Sequence, residues 1–380
     1  MRENIGRIKL KGLVFGGWYG SGNLGDEAIL FGVNRIFKKV LPDCKLTVLS
    51  TDPEYTWRIS GLNSVKLRSP RELLRIRKDY FEVFSDADFV IITGGTPIYD
   101  YDHLSRIIHW ITPVLGGSQI FLFGIGSKHI RSYKGKFING KMLSLSTRIS
   151  VRDGPTYSNL KKLTRKVIRL TGDSALFYPH KASVKSVDKI LVCPRYLNPN
   201  SRESYHDHLS PDDIFTIRKK IAKTCDYLIE KEYSITFIPF HTIPEDNDYY
   251  EIAKILEIMK NKDVEIQKRP ESPRAFLREA SNSKFVIGLR LHSLILSSIA
   301  TVPYLSINYD TKIDGFMSMT RMGDFLEPIF SESYSLTRRV EYLINNRDTL
   351  QMNLGYVIKC IKDRIFDEAK IVANLIRLGP

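Results

Sequence analysis

Cysteine is scarce in this chain. Its four cysteines, Cys44, Cys193, Cys225 and Cys360, stand far apart, form no CxxC pair and have no histidine at zinc-ligand spacing. Neither a disulfide framework nor a metal site is expected, and the pattern fits a reduced, intracellular environment. Uninterrupted apolar stretches of membrane-spanning length are also missing. Residues 107–127 and 291–309 lack Asp, Glu, Lys and Arg, but Pro113 with Gly116-Gly117-Ser118 breaks the first and Pro303 the second. Each reads as a buried helix, a turn and a buried strand, not as a membrane span. The first residues, Met1 to Lys11, are too charged for a secretion signal. A cytoplasmic protein is expected, with peripheral attachment at the inner face of a membrane as one option.

Acidic residues are the third shortage. The chain has 57 Lys and Arg against 42 Asp and Glu, a net charge of +15, and residues 101–185 alone carry 15 basic and 3 acidic residues. A face of this kind suits nucleic acid, an anionic membrane or a phosphorylated substrate. Nucleic acid is disfavoured, because no recognition helix or RNA-binding signature is present and aromatics do not interleave with the basic run 161–169. The excess reads as a docking face for an anionic acceptor or membrane surface.

What is there is ordinary globular composition: 380 residues, 43% hydrophobic and 26% charged. That excludes disordered and fibrous classes and suggests two domains. Strand-like apolar runs alternate with helical patterns throughout. Strands are expected at 13–18, 45–50, 89–93, 119–124, 148–151, 167–170, 189–193, 234–239, 285–288 and 304–308. Runs such as Phe-Val-Ile-Ile and Ile-Phe-Leu-Phe imply strands buried on both faces, hence a parallel sheet with helical crossovers. The expected class is α/β, with two Rossmann-type doubly wound domains facing a central cleft. Residues 1–180 form the first and 181–350 the second, joined by the polar stretch Tyr178–Lys189. A C-terminal helix at 351–380 docks on either.

Five segments carry chemistry. In Gly16–Leu30, Gly20, Gly22 and Gly25 satisfy GxGxxG, with Asp52 placed like a ribose-binding acid. Asp26 and Glu27 argue against a dinucleotide, since two carboxylates at the helix start would repel its pyrophosphate. The glycines then give a substrate close access to the chain, with Asn23 and Asp26 as polar contacts. Thr93-Gly94-Gly95-Thr96 ends another strand in a turn that exposes N–H groups. Arg148–Pro155 ends a strand in Arg152-Asp153, either an ion pair tying the strand end or an open fork for a carboxylate or phosphate. His241 follows Pro239-Phe240, with Asp246 and Asp248 shortly after. The strongest segment is Val286–Ser293, continued by Pro303–Lys312. There Arg290 and His292 flank Leu291 where a strand turns into a helix, setting a titratable imidazole beside a fixed cation.

In their order, segments 18–30, 148–153, 239–241, 288–293 and 306–312 resemble the polysaccharide pyruvyltransferases, over roughly residues 14–318. The usual Gly-Gly-Gly turn of that family reads Gly94-Gly95-Thr96 here, and Asp153 is followed by Gly-Pro-Thr-Tyr before Ser158. The resemblance implies a GT-B-like fold and transfer of pyruvate from phosphoenolpyruvate to two hydroxyls of a saccharide. A cyclic ketal forms and phosphate leaves, in the synthesis of cell-surface polysaccharide. Arg152 and Arg290, with Lys312, Gly288 and Ser293, would bind the donor. His292 would act as general acid, with Arg290 and Asp26 in the catalytic set. Gly22, Asn23, Gly94, Gly95, His241 and Asp310 would meet the acceptor, free or lipid-linked. No cofactor is required by this chemistry, although Mg2+ as a helper is compatible with it. The alternatives are a nucleotide-sugar glycosyltransferase on the same architecture and a non-enzymatic binder of nucleic acid or membrane.

Overall fold

In the computed structural model, residues 10–67, 78–100, 108–180, 188–197, 209–244, 246–332 and 335–379 are described. Residues 181–187 of the expected linker, and 101–107 and 181–185 of the basic region, lie outside them. The chain divides into two units, Met1–Tyr178 with Ile361–Pro380, and Pro179–Cys360.

The apolar runs become the central strands. In the first unit these are β1 (Lys11–Phe15), β2 (Lys45–Ser50), β3 (Asn63–Lys66), β4 (Phe89–Ile92), β5 (Gln119–Ile125), β6 (Arg148–Val151) and β7 (Ile168–Leu170). β4 and β5 are buried along their whole length, as a sheet covered on both faces requires. All pairings are parallel, in the order β3-β2-β1-β4-β5-β6-β7. The second unit holds β8 (Lys189–Cys193), β9 (Ser234–Phe237), a small antiparallel hairpin of β10 (Thr242–Ile243) and β11 (Asp246–Asn247), β12 (Glu265–Ile266), β13 (Phe285–Gly288), β14 (Tyr304–Asn308) and β15 (Leu326–Pro328). Its main sheet is also parallel, in the order β12-β9-β8-β13-β14-β15.

Both sheets have the doubly wound order, which reverses direction between β1 and β4 and between β8 and β13. Ligands of such sheets bind at the carboxyl ends of the strands flanking that reversal. The C-terminal helix runs from Arg347 to Leu378. Its part beyond Ile361 belongs to the first unit, where Ile361 and Ile365 press on Gly172 and Glu368 takes the Arg148 guanidinium through two bonds of 2.6 and 2.8 Å. Among the described residues no helix is long and apolar enough to cross a membrane.

Candidate active site

In the first unit the loops after β1 and β4 meet around Tyr19, which is fully buried and donates to the Thr93 carbonyl at 2.8 Å. Burial raises the Tyr19 pKa, and the carboxylates of Asp26, Glu27 and Asp173 raise it further. Close packing explains the glycines. A Cβ on Gly17 would strike the Tyr19 ring, and one on Gly94, at φ +86°, would stand 2.7 Å from its hydroxyl. Gly95, at φ +49°, is the roomier position, with Asp26 Oδ1 the nearest neighbour at 3.5 Å. Gly22 adopts φ +75° just before the helix Leu24–Val40.

The glycine-rich loop has already given away N–H groups that a phosphate would need. Gly20 donates to Glu27 Oε1 and Gly25 to Asn23 Oδ1, each at 3.0 Å. Asn23, expected as a substrate contact, is the N-cap of the helix through its Oδ1. Asp52 likewise caps the helix Pro53–Ser60. Asp26 lies buried on the first helical turn, beside the Gly17 and Gly95 loops.

Arg152 does not present the open fork expected of it. Its Nε reaches Asp153 Oδ2 at 3.2 Å and its Nη1 reaches Asp173 Oδ2 at 3.3 Å, with all three side chains buried. Desolvation alone would lower the Arg152 pKa, but the two carboxylates outweigh it and raise the value. Two charges pairing one cation satisfy the strand end; they leave little for a ligand.

The second unit gathers its charged groups at the β8/β13 reversal. Arg290 follows β13 and precedes the helix Leu291–Ile299. Its Nη1 and Nη2 grip Asp246 at 3.0 and 2.6 Å, and its Nε and Nη2 grip Asp248 at 3.1 and 2.5 Å. Asp248 also accepts the backbone N–H groups of Tyr196, Phe240 and His241. Burial would raise the Asp246 pKa, but the hydrogen bond with His241 and the Arg290 charge hold it far below the usual carboxylate range. Arg290, expected with Arg152 to bind the donor, is thus clamped by two carboxylates of its own chain.

His241 Nδ1 lies 2.9 Å from Asp246 Oδ2. The carboxylate accepts, so Nδ1 carries a proton, and Nε2 is the ring nitrogen turned away from Asp246. That Nε2 is buried and has no hydrogen-bond partner among the described residues. His292 stands half-buried on the first turn of the helix that Arg290 opens. Gly288 and Ser293 are structural: the Ser293 hydroxyl donates to the Arg290 carbonyl at 2.6 Å and fills the space a Cβ on Gly288 would need. Asp310 caps the helix Thr311–Met319 and pairs with Lys312 at 3.0 Å.

The motif reading missed Arg195. It follows β8 as Arg152 follows β6, a strand end running Cys193-Pro-Arg. The side chain is buried, with Asp310 3.7 Å away and the Tyr309 hydroxyl 3.5 Å from Nη1. Its Nε has no hydrogen-bond partner among the described residues. Here is a guanidinium whose own chain holds it loosely. Among the described residues no group of three or more His, Cys, Asp or Glu is placed to hold a metal ion.

Two parallel doubly wound sheets, with polar loops at each reversal, define an α/β protein of GT-B-like fold. A glycosyltransferase from Rickettsia africae ESF-5 is similar at a TM-score of 0.60 and 11% identity, with 97% of this chain and 99% of that chain covered. A UDP-N-acetylglucosamine 2-epimerase from Listeria monocytogenes, described as putative, gives 0.58 at 12%, covering 94% and 96%. The UDP-GlcNAc 2-epimerase of Neisseria meningitidis, solved with UDP-GlcNAc, gives 0.55 at 12%, covering 94% and 100%. Identities this low speak to fold alone. No curated protein matches the chain. The family model for polysaccharide pyruvyl transferase matches residues 23–311, and the chain belongs to that family.

Proposed function

We propose that the protein transfers the pyruvyl group of phosphoenolpyruvate to two hydroxyls of a saccharide, closing a cyclic ketal and releasing phosphate. The observation that carries this reading is the β8/β13 cluster, where Arg195, with its uncommitted Nε, shares one strand-end site with the His241–Asp246 pair. The donor places a carboxylate and a phosphate on one small molecule, and a planar guanidinium fork suits either. Arg195 is assigned to that anion, with Lys312 beside it. Arg290, fixed between Asp246 and Asp248, supplies standing positive charge and orients Asp246.

Ketal formation needs a proton on the donor's methylene carbon and a base for the sugar hydroxyl. His292 is assigned the first role. As its proton reaches the methylene, positive charge grows at the adjacent carbon, and a sugar oxygen adds there. Nε2 of His241, oriented by Asp246, takes the hydroxyl proton. The carbon–oxygen bond to phosphate then breaks, the second hydroxyl closes the ring, and its proton leaves with the phosphate.

The test is phosphate release from phosphoenolpyruvate against a panel of soluble and lipid-linked saccharides, with product mass read in parallel. Acceptor-dependent release with a pyruvate ketal in the product is expected, and near-total loss in His292→Ala. Thermal stabilisation by UDP- or GDP-sugars but not by phosphoenolpyruvate would overturn the reading in favour of a glycosyltransferase.

A further inference from the structure

The basic excess of the first unit is concentrated on one face. The helices Tyr133–Leu145 and Gly154–Lys161 cross over from β5 to β6 and from β6 to β7. Right-handed crossovers between successive parallel strands lie on the same side of the sheet. The two segments also touch, since Gly140 packs close to the Leu163 carbonyl and Lys166 donates to the Ser146 carbonyl. From residue 131 to 170 the single acidic residue is Asp153, and it is buried under Arg152. Lys134, Lys136 and Lys141 on the first helix, Lys161 at the end of the second, and Lys162 and Arg165 just after it are all exposed.

Large apolar side chains stand among these cations. Tyr133 is 90% exposed and Phe137, one turn further on, 68%; Val167, just before β7, is 65% exposed. The lysines lie on the rings: Lys136 Nζ is 5.5 Å from the Tyr133 ring centre and Lys141 Nζ 5.7 Å from that of Phe137. In water such contacts shelter an otherwise unpartnered aromatic face. Beside lipid, the same lysines can turn to headgroup phosphates while the rings enter the acyl boundary.

We propose that this face docks the protein on an anionic lipid bilayer, with Tyr133 and Phe137 entering the interface and the flanking lysines and Arg165 meeting lipid phosphates. Charge alone would suit a nucleic acid equally. The apolar component decides: exposed Phe137 and Val167 gain nothing from a phosphodiester backbone, whereas an interfacial surface combines apolar area with cations. The proposal is independent of the transfer chemistry, because it concerns a face remote in sequence from His241, Arg290 and His292.

Sedimentation of the full chain with vesicles tests it. Phosphatidylcholine vesicles are compared with vesicles in which roughly a third of the lipid is phosphatidylglycerol, across a salt series. Binding is expected only to the anionic vesicles and should weaken steeply with salt. The triple variant Lys134→Gln, Lys136→Gln, Lys141→Gln should weaken it about fivefold per lysine. The double variant Tyr133→Ser, Phe137→Ser should weaken it about tenfold or more, and both variants should keep the wild-type thermal melt. Unchanged vesicle binding in either variant overturns the proposal. So does tighter binding of a short single-stranded oligonucleotide that the lysine variant loses and the aromatic variant keeps.

Discussion

Asp246 holds Arg290 with one edge and His241 with the same carboxylate. Arg290 Nη1 and Nη2 stand 3.0 and 2.6 Å from its two oxygens, and His241 Nδ1 stands 2.9 Å from Oδ2. One ionised side chain therefore links the fixed cation of the strand-to-helix turn to an imidazole on the neighbouring hairpin. The residue most visible in the motif, Arg290, is held by two carboxylates, whereas Arg195 keeps an Nε with no hydrogen-bond partner among the described residues.

Asp246→Asn separates these roles. The amide keeps the shape but cannot fix the His241 tautomer as a carboxylate does. The turnover number should fall about a hundredfold, with KM for phosphoenolpyruvate changed only a few-fold. Steady-state kinetics checks this. A raised KM with unchanged turnover would place Asp246 in donor binding instead.

Arg290→Ala and Arg195→Lys should differ in kind. Removing Arg290 leaves Asp246 and the fully buried Asp248 without their cation, at a cost of about 3–5 kcal/mol in urea denaturation. Arg195→Lys keeps the charge near Asp310 but loses the planar fork. It should melt close to wild type while KM for phosphoenolpyruvate rises about 10- to 100-fold. Equal melting losses in both variants would contradict the division.

The central strands were legible because they are buried on both faces and so read as unbroken apolar runs; β2, β6, β8, β13 and β14 begin and end where the sequence places them. Three of the four edge strands, β3, β12 and β15, were not, since segments such as Asn63-Ser-Val-Lys66 and Glu265-Ile266 carry no such run. In the candidate site, residue types were readable but their commitments were not. Arg152 and Arg290 look alike in sequence to an arginine with a free fork, and only the positions of Asp173, Asp246 and Asp248 show them occupied. Asn23 and Ser293 serve caps and turns that depend on where a helix starts. Arg195 carried the same strand-end signal as Arg152 but lacked a neighbouring acid to draw the eye.

Gly94→Ala tests the packing around Tyr19. The residue sits at φ +86°, and its new methyl would lie 2.7 Å from the Tyr19 hydroxyl and 3.2 Å from the Gly17 Cα. Strain and displacement of that buried hydrogen bond should cost about 1–3 kcal/mol. Gly95→Ala, with only Asp26 Oδ1 nearby at 3.5 Å, should cost less. Chemical denaturation of the two variants side by side reads the difference, and equal losses would show that φ alone, not Tyr19, sets the requirement.

Asp310 makes the acid end of the stability curve testable. Burial raises its pKa, but the charges of Lys312 and Arg195 and the Lys312 N–H prevail, and the value falls from 3.8 to about 2. A carboxyl depressed in the folded state contributes its stability above the unfolded pKa and loses it as pH falls through the folded one. The contribution is therefore complete at neutral pH, about 2 kcal/mol, and drains away between about pH 4 and 2. Asparagine caps a helix nearly as well as aspartate, so Asp310→Asn removes the charge and keeps the cap. The variant should be less stable by that amount at neutral pH, and the two curves should converge on acidification. A difference that stays constant down to about pH 2 would show that the ion pairs contribute nothing and that the substitution acts on packing alone.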